Sequence, residues 1–283
     1  ALQPRFTESD RADILSLPYV ARVDCAQRAA CNLVLDEVTG YLRPDPALHT
    51  YLDEPTAGTW QTEQREAYLT LKNELGIEGD LFGVEVIALP EERILAYAGE
   101  VLHGEIDIEA LNAGRDVIVV APDCMYERTQ PVRGGLWISY ATEPFAEREP
   151  EAQYREFAND TFQVRQKLPL CQLFAREYQP NRADPSVTAA DLERRDASPT
   201  IGATVDWATA SNMVILSGCG YGDVITTHAG LQALGLYANG YSEFGVALAQ
   251  TPPAETEAQI DEALREIASR VEGARYDSQF ASL

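Results

Sequence analysis

Residues 101–122, VLHGEIDIEALNAGRDVIVVAP, constrain the fold most, because they combine a helix, a one-glycine stop and a buried strand. Asp107 is suited to the N-cap of the helical turn that follows it. Gly114 fits the C′ position, where a left-handed residue ends a helix. Residues 117–120 are all apolar and β-branched, which is typical of a strand. The stretch therefore predicts helices packed against a sheet.

The same stretch contains His103, Glu105, Asp107 and Glu109, which could form a metal or acid–base cluster. The acids alternate with isoleucines, and this places them on one exposed face of an extended segment. A calcium loop would need a different spacing of acids and a central glycine. We therefore interpret the acids as a solvated strand edge leading into an N-cap, and His103 as a bystander.

The chain before this stretch predicts short elements around a long loop. Thr7 and Asp10 resemble a capping box at the start of a helix that Pro18 ends. Strands are predicted at 19–25, 31–38, 68–75 and 80–89, a turn at 26–30, a loop at 40–66 and a short helix at 91–98.

The chain after this stretch changes character twice. Residues 131–180 are rich in aromatic residues and alternate in polarity, which favours a mainly β section. A polar, proline-containing segment at 181–199 is either an excursion or a domain connection. From residue 200 onward a βα pattern resumes, and it ends in the clearest helix of the chain. That helix has an apolar face made of Ile260, Leu264, Ile267 and Val271.

The net charge of the chain is −23, from 45 acidic and 22 basic residues. Phosphate backbones and anionic lipid headgroups would repel such a chain, which argues against nucleic-acid binding. No run of about 18 apolar residues is present, so no membrane span is predicted. The sequence begins at Ala1 without a methionine or a signal peptide, which leads us to expect a missing upstream segment.

The sequence has 5 cysteines, namely Cys25, Cys31, Cys124, Cys171 and Cys219. None belongs to a CxxC pair or has a histidine at zinc-finger spacing, which makes structural zinc improbable. Cys25 and Cys31 could close a hairpin with a disulfide if the chain is exported, and the sequence alone leaves this open.

No catalytic, cofactor-binding or metal-ligating residue is assigned. His49, His103 and His228 do not form an HExxH or related motif. Ser217 does not lie in GxSxG. Residues 218–223, GCGYGD, lack the spacing and the lysine of a phosphate loop, which favours a tight glycine turn. Core packing is the expectation for the three tryptophans, Trp60, Trp137 and Trp207.

The order of these elements resembles the extracellular domain of FtsX-like ABC transporter permeases, the MacB-like periplasmic core domain. The opening FTESDRADILSLPYVARVD resembles the helix and strand that follow the first membrane helix in that family. The central stretch resembles its G-x-I-D-x-x-x-L-x-x-G-x-x-V-I-V run. The matching residues are Gly104, Ile106, Asp107, Leu111, Gly114, Val117, Ile118 and Val119.

The resemblance implies an α+β, two-lobed fold. A porter-like βαβ subdomain would comprise residues 1–122 and 200–283. A mainly β, Sabre-like subdomain would be inserted at 123–199. The pattern of the residues gives the same partition into βα, β and βα sections.

The resemblance also implies a non-catalytic function without cofactors. The domain would lie on the extracellular face of the membrane, in a Gram-positive cell, between membrane helices outside this sequence. It would couple ATP-driven helix motion to an extracellular substrate or to a protein, peptide or lipid partner. ATP would be hydrolysed by an ABC ATPase subunit, and the permease would be dimeric. The first and last residues would then lie close together.

Two other classes remain open from the sequence. One is a secreted acidic hydrolase in which two carboxylates act as acid and base. The other is a stand-alone extracellular solute-binding protein that holds a ligand between two lobes.

Overall fold

The computed structural model describes residues 5–35, 70–78, 80–132, 135–141, 154–158, 161–174, 188–214, 218–271 and 274–276. The fold is α+β, as predicted. Its main feature is a curled, mixed sheet that forms a half-barrel, accompanied by few helices.

Besides a helical segment at 70–74, the described helices are α1 (Glu8–Leu15), α2 (Glu91–Leu95), α3 (Ile108–Asn112), α4 (Trp207–Met213), α5 (His228–Ala233) and α6 (Ala254–Ser269). The strands are β1 (Val20–Leu35), β2 (Asp80–Leu89), β3 (His103–Gly104), β4 (Asp116–Val120), β5 (Cys124–Val132), β6 (Gly135–Ala141), β7 (Tyr154–Ala158), β8 (Leu170–Phe174), β9 (Glu193–Ala197), β10 (Thr200–Val205), β11 (Val224–Thr227) and β12 (Glu243–Leu248). Short 3₁₀ helices lie at Ala98–Glu100 and Ala189–Asp191.

The main sheet has the order β3-β10-β4-β11-β2-β1-β8-β9, and β12 also pairs with β1. Two pairs are parallel, β4 with β10 and β2 with β11. The other strand pairs of this sheet are antiparallel. Strands β5, β6 and β7 form a separate antiparallel sheet in the order β6-β5-β7.

The long strand β1 corrects the predicted pair of strands at 19–25 and 31–38. Residues 26–30 are not a turn, because β1 runs without a break from Val20 to Leu35. Its first half pairs with β12 and its second half with β2. The partners that hold residues 26–30 extended are therefore strands far away in the sequence.

This strand also excludes the disulfide considered between Cys25 and Cys31. Both side chains are buried, and both residues lie in β1. Six residues of extended chain separate their Cα atoms by about 20 Å. A disulfide allows no more than about 7 Å between them.

The predicted strand at 68–75 is also wrong over its described part, because residues 70–74 are helical. Leu71 and Ile77 are buried, so the apolar side chains of this segment pack into the interior. The predicted loop at 40–66 lies outside the described residues.

The core lies on both faces of the main sheet. In β2, Val84, Val86 and Ala88 point into one cluster with Leu33. The alternate residues Ile87 and Leu89 point into a second cluster. This alternation is that of a strand covered on both sides.

The stretch 101–122 forms the elements predicted for it. The Asp107 carboxylate accepts a hydrogen bond from Ala110 N at 3.1 Å and caps α3. Gly114 has a φ of 64°, in the left-handed region, one residue beyond the C-cap. Residues 117–120 of β4 are fully buried between β10 and β11.

The division into porter-like and Sabre-like subdomains stays a prediction. Strands β5–β7, within the segment 123–199, form a sheet of their own, whereas β8 and β9 of that segment belong to the main sheet. None of the helices in the described ranges is both long and apolar enough to span a membrane.

Candidate functional site

The histidine and the acids of the central stretch do not converge on one point. His103 lies on the short edge strand β3, and its Nε2 is 2.6 Å from Asp123 Oδ1. Both side chains are exposed, at 58% and 62%. Glu105 and Glu109 point into solvent. Within the part of the chain that the structure describes, no three His, Cys, Asp or Glu residues are placed to hold a metal ion.

A buried arginine instead lies at the centre of a cluster of charged side chains. The Arg28 side chain in β1 is 8% exposed, and its Nε donates to Glu243 Oε1 of β12 at 3.0 Å. Its Nη1 donates to Glu85 of β2. Burial opposes the charge on Arg28, but the two carboxylates outweigh this effect and raise the pKa of the guanidinium. Arg28 therefore remains a cation that joins three strands.

Asp223 extends this cluster to the glycine turn at 218–223. Its Oδ1 accepts from Glu85 N at 2.8 Å, and its Oδ2 accepts from Gly220 N at 2.6 Å. Gly222 has a φ of 82°, which lets the chain turn tightly before β11. Burial raises the pKa of Asp223, although the two backbone donors oppose this effect. The Asp223 carboxylate thus organises the turn and connects it to β2.

Cys219 lies in the same turn and is half-buried. Burial, followed by the nearby charge of Asp223, raises the pKa of its thiol to about 12. The thiol is therefore protonated at neutral pH, whereas nucleophilic cysteines are thiolates in electropositive surroundings. Cys219 is therefore suited to packing and hydrogen bonding and not to nucleophilic attack.

A second polar cluster connects β1 to the start of α5. The His228 ring has Nδ1 at 3.0 Å from Gln27 Oε1 and Nε2 at 3.0 Å from Cys25 O. The same Nε2 is 3.5 Å from Cys25 Sγ. The edge of the ring packs against Tyr241, whose hydroxyl bonds to Glu8 of α1 at 3.2 Å.

The first and last of the described helices, α1 and α6, form one layer. Arg270, at the C-cap of α6, places Nη1 at 3.2 Å from Asp10 Oδ1 and 2.6 Å from Asp13 Oδ2. Below these charges, Ile14 and Ile267 are buried in a shared apolar cluster on β1 and β12. We call this layer the α1–α6 layer.

Asp10 links the α1–α6 layer to the N-terminus of α1. Burial alone would raise the pKa of Asp10, but hydrogen bonds from Thr7 and Arg270 hold it below its ordinary value. Thr7 and Asp10 form the predicted capping box, with Thr7 N donating to Asp10 Oδ2 at 2.8 Å. One carboxylate thus caps α1 and also binds the end of α6.

The other residues considered from the sequence do not add to these clusters. His49, Trp60 and Ser217 are outside the described residues, as is the side chain of Trp137. Trp207 is partly buried and contacts both apolar clusters of the sheet, in agreement with core packing.

The sequence patterns did not predict the clusters around four residues, namely Arg28, Asp223, His228 and Arg270. A signal existed for Arg28, because one arginine interrupts a run of small residues in DCAQRAAC. The glycine turn at 218–223 was predicted, but the role of its last residue, Asp223, in holding that turn was not.

Comparisons with known proteins do not place the chain in a family. No protein-family model matches the chain, and no curated protein matches it significantly. The contacts described above and the order of the elements are therefore the basis for a functional proposal.

Proposed function

We propose that the chain is the non-catalytic extracellular domain of an FtsX-like ABC transporter permease. In this function the domain is held between membrane helices and moves when an ABC ATPase moves those helices. Its moving parts then act on an extracellular substrate or on a protein, peptide or lipid partner, within a dimeric permease.

The observation that carries the proposal is the α1–α6 layer. A domain inserted between two membrane helices needs its entering and leaving segments side by side. Here Arg270 of the last helix binds Asp10 and Asp13 of the first, and Ile14 and Ile267 share one apolar cluster. This arrangement supports attachment of both segments to one membrane surface.

The stiffness of the body beneath this layer also supports the proposal. The apolar cluster of α1 and α6 rests on Val23 of β1 and on β12, and β1 continues through the main sheet to β2 and β8. The buried Arg28 side chain joins β1, β2 and β12 through ion pairs with the partly exposed Glu85 and the buried Glu243. Closely packed interiors transmit strain because they compress little. A displacement of α1 and α6 would therefore reach the sheet.

The complete reading frame tests the proposal most cheaply. It should encode one hydrophobic helix before Ala1 and further hydrophobic helices after Leu283. The full-length protein, purified from membranes in mild detergent, should carry an ABC ATPase with it. A complete frame without any membrane helix would contradict the proposal.

A further inference from the structure

The groups around His228 can bind both the protonated ring and the neutral ring, but through different hydrogen bonds. Its two ring nitrogens each face a neutral oxygen at 3.0 Å, Gln27 Oε1 and Cys25 O. An imidazolium, which has two N–H donors, would satisfy both oxygens. A neutral ring has one donor and one acceptor, so one nitrogen needs a donor as its partner.

The Cys25 thiol is the donor within reach of the neutral ring. Its Sγ lies 3.5 Å from His228 Nε2, and burial raises the pKa of the thiol, so the hydrogen is retained. Nε2 can therefore accept the S–H hydrogen while Nδ1–H donates to Gln27 Oε1. The geometry thus favours the Nδ1–H tautomer for the neutral ring.

Charged and titratable groups face this ring from three elements. On α1, Arg11 disfavours a charged ring and Glu8 favours it, and these two side chains are 3.4 Å apart as an ion pair. On β1 the titratable neighbour is the Cys25 thiol, and before β12 it is Tyr241. Burial has the largest effect on His228: it lowers the pKa of the ring and keeps it neutral at neutral pH.

We propose that His228 is a proton-sensitive link between β1, α5 and α1. The neutral ring accepts the thiol hydrogen of Cys25, whereas the protonated ring donates to Cys25 O and Gln27 Oε1. The ring reaches α1 through Tyr241, which contacts it and bonds to Glu8. Arg11 of the same helix repels the new positive charge, so protonation weakens the packing of α1 against the sheet. This inference does not rest on the proposed permease function.

Nitrogen-15 NMR of the histidine rings tests the proposal directly. His228→Asn assigns the His228 signals, and they should titrate at a lower pH than an ordinary histidine, with Nδ1 protonated in the neutral form. Cys25→Ala removes the donor to Nε2 and leaves both oxygens in place, so the pKa of His228 should rise. Cys25→Ser keeps a donor and should stay close to the wild type.

Hydrogen exchange supplies the structural readout. Protection of the α1 amides, normalised for intrinsic exchange, should decrease several-fold between pH 7.5 and pH 5 in the wild type. His228→Asn should abolish this decrease, and His103→Asn should preserve it. A neutral His228 in the Nε2–H form, or an α1 response that survives in His228→Asn, would overturn the proposal.

Discussion

Arg270 and Asp13 join the last described helix to the first, with 2.6 Å between Nη1 and Oδ2. The pair lies at the rim of the α1–α6 layer, where both side chains are almost half exposed. Exposed pairs of this kind contribute little to stability. The strength of the layer must therefore come from the apolar contacts beneath it.

Replacement of Ile267 by alanine should weaken the α1–α6 layer. The side chain is buried against Ile14 and Val23. Removing such a side chain should lower the free energy of unfolding by about 2–4 kcal/mol. Gln259→Ala, on the exposed side of α6, should change it by less than about 0.5 kcal/mol. Urea unfolding of both variants measures the difference, and equal effects would show that α6 does not pack as described.

Replacement of Arg28 by methionine should leave Glu243 buried without its cation. Removal of one partner of a buried ion pair costs about 3–5 kcal/mol. The triple variant Arg28→Met, Glu243→Gln, Glu85→Gln also removes the two carboxylate charges that Arg28 neutralises and should recover part of that loss. Chemical denaturation of the two variants measures the recovery. A triple variant less stable than Arg28→Met would contradict the charge account.

The stability contributed by Asp223 should depend on pH. Burial raises its pKa in the folded protein above the unfolded value, so the folded state favours the protonated carboxyl. This contribution is fully present below the unfolded pKa and is lost as pH rises through the folded pKa. The stability of the wild type relative to Asp223→Asn should therefore fall as pH rises from 4 to 7. Denaturation of both proteins at several pH values measures this difference in stability. A difference that rises with pH would contradict the prediction.

Replacement of Gly230 by alanine should disrupt the contact between α5 and α3. A Cβ at this position would lie 2.3 Å from both Leu111 O and Thr226 Oγ1. Such overpacking should cost about 1–3 kcal/mol or more. At Gly99 a Cβ meets nothing within 4 Å, so Gly99→Ala is the matched control. Thermal unfolding should separate the two variants clearly, and similar melting temperatures would refute the close approach of the helices.

The elements predicted correctly from the sequence are those fixed by neighbours in the chain. Asp107 caps α3 through an amide three residues away, and Gly114 ends it through its own backbone freedom. The apolar face of α6 was likewise visible from residue spacing, and Ile260 and Ile267 are buried. Local rules suffice for such features.

The elements missed are fixed by distant partners. Residues 26–30 were predicted as the turn between two strands, yet Arg28 is held in one long strand by Glu85 and Glu243, which are 57 and 215 residues away. Cys25 and His228 are 203 residues apart in the chain. Only the paired strands of the fold bring these side chains together, so the spacing of the residues in the sequence could not predict their partners.

Labelling of intact cells tests the central claim most directly. Glu262 is exposed on α6, and Glu262→Cys in the full-length protein supplies an accessible thiol. The protein without this substitution measures the background from its natural cysteines. The account predicts that a membrane-impermeant maleimide labels Glu262→Cys in intact cells, above background and as fully as after lysis. Labelling only after lysis would place the domain inside the cell and contradict its proposed role as an extracellular part of a permease.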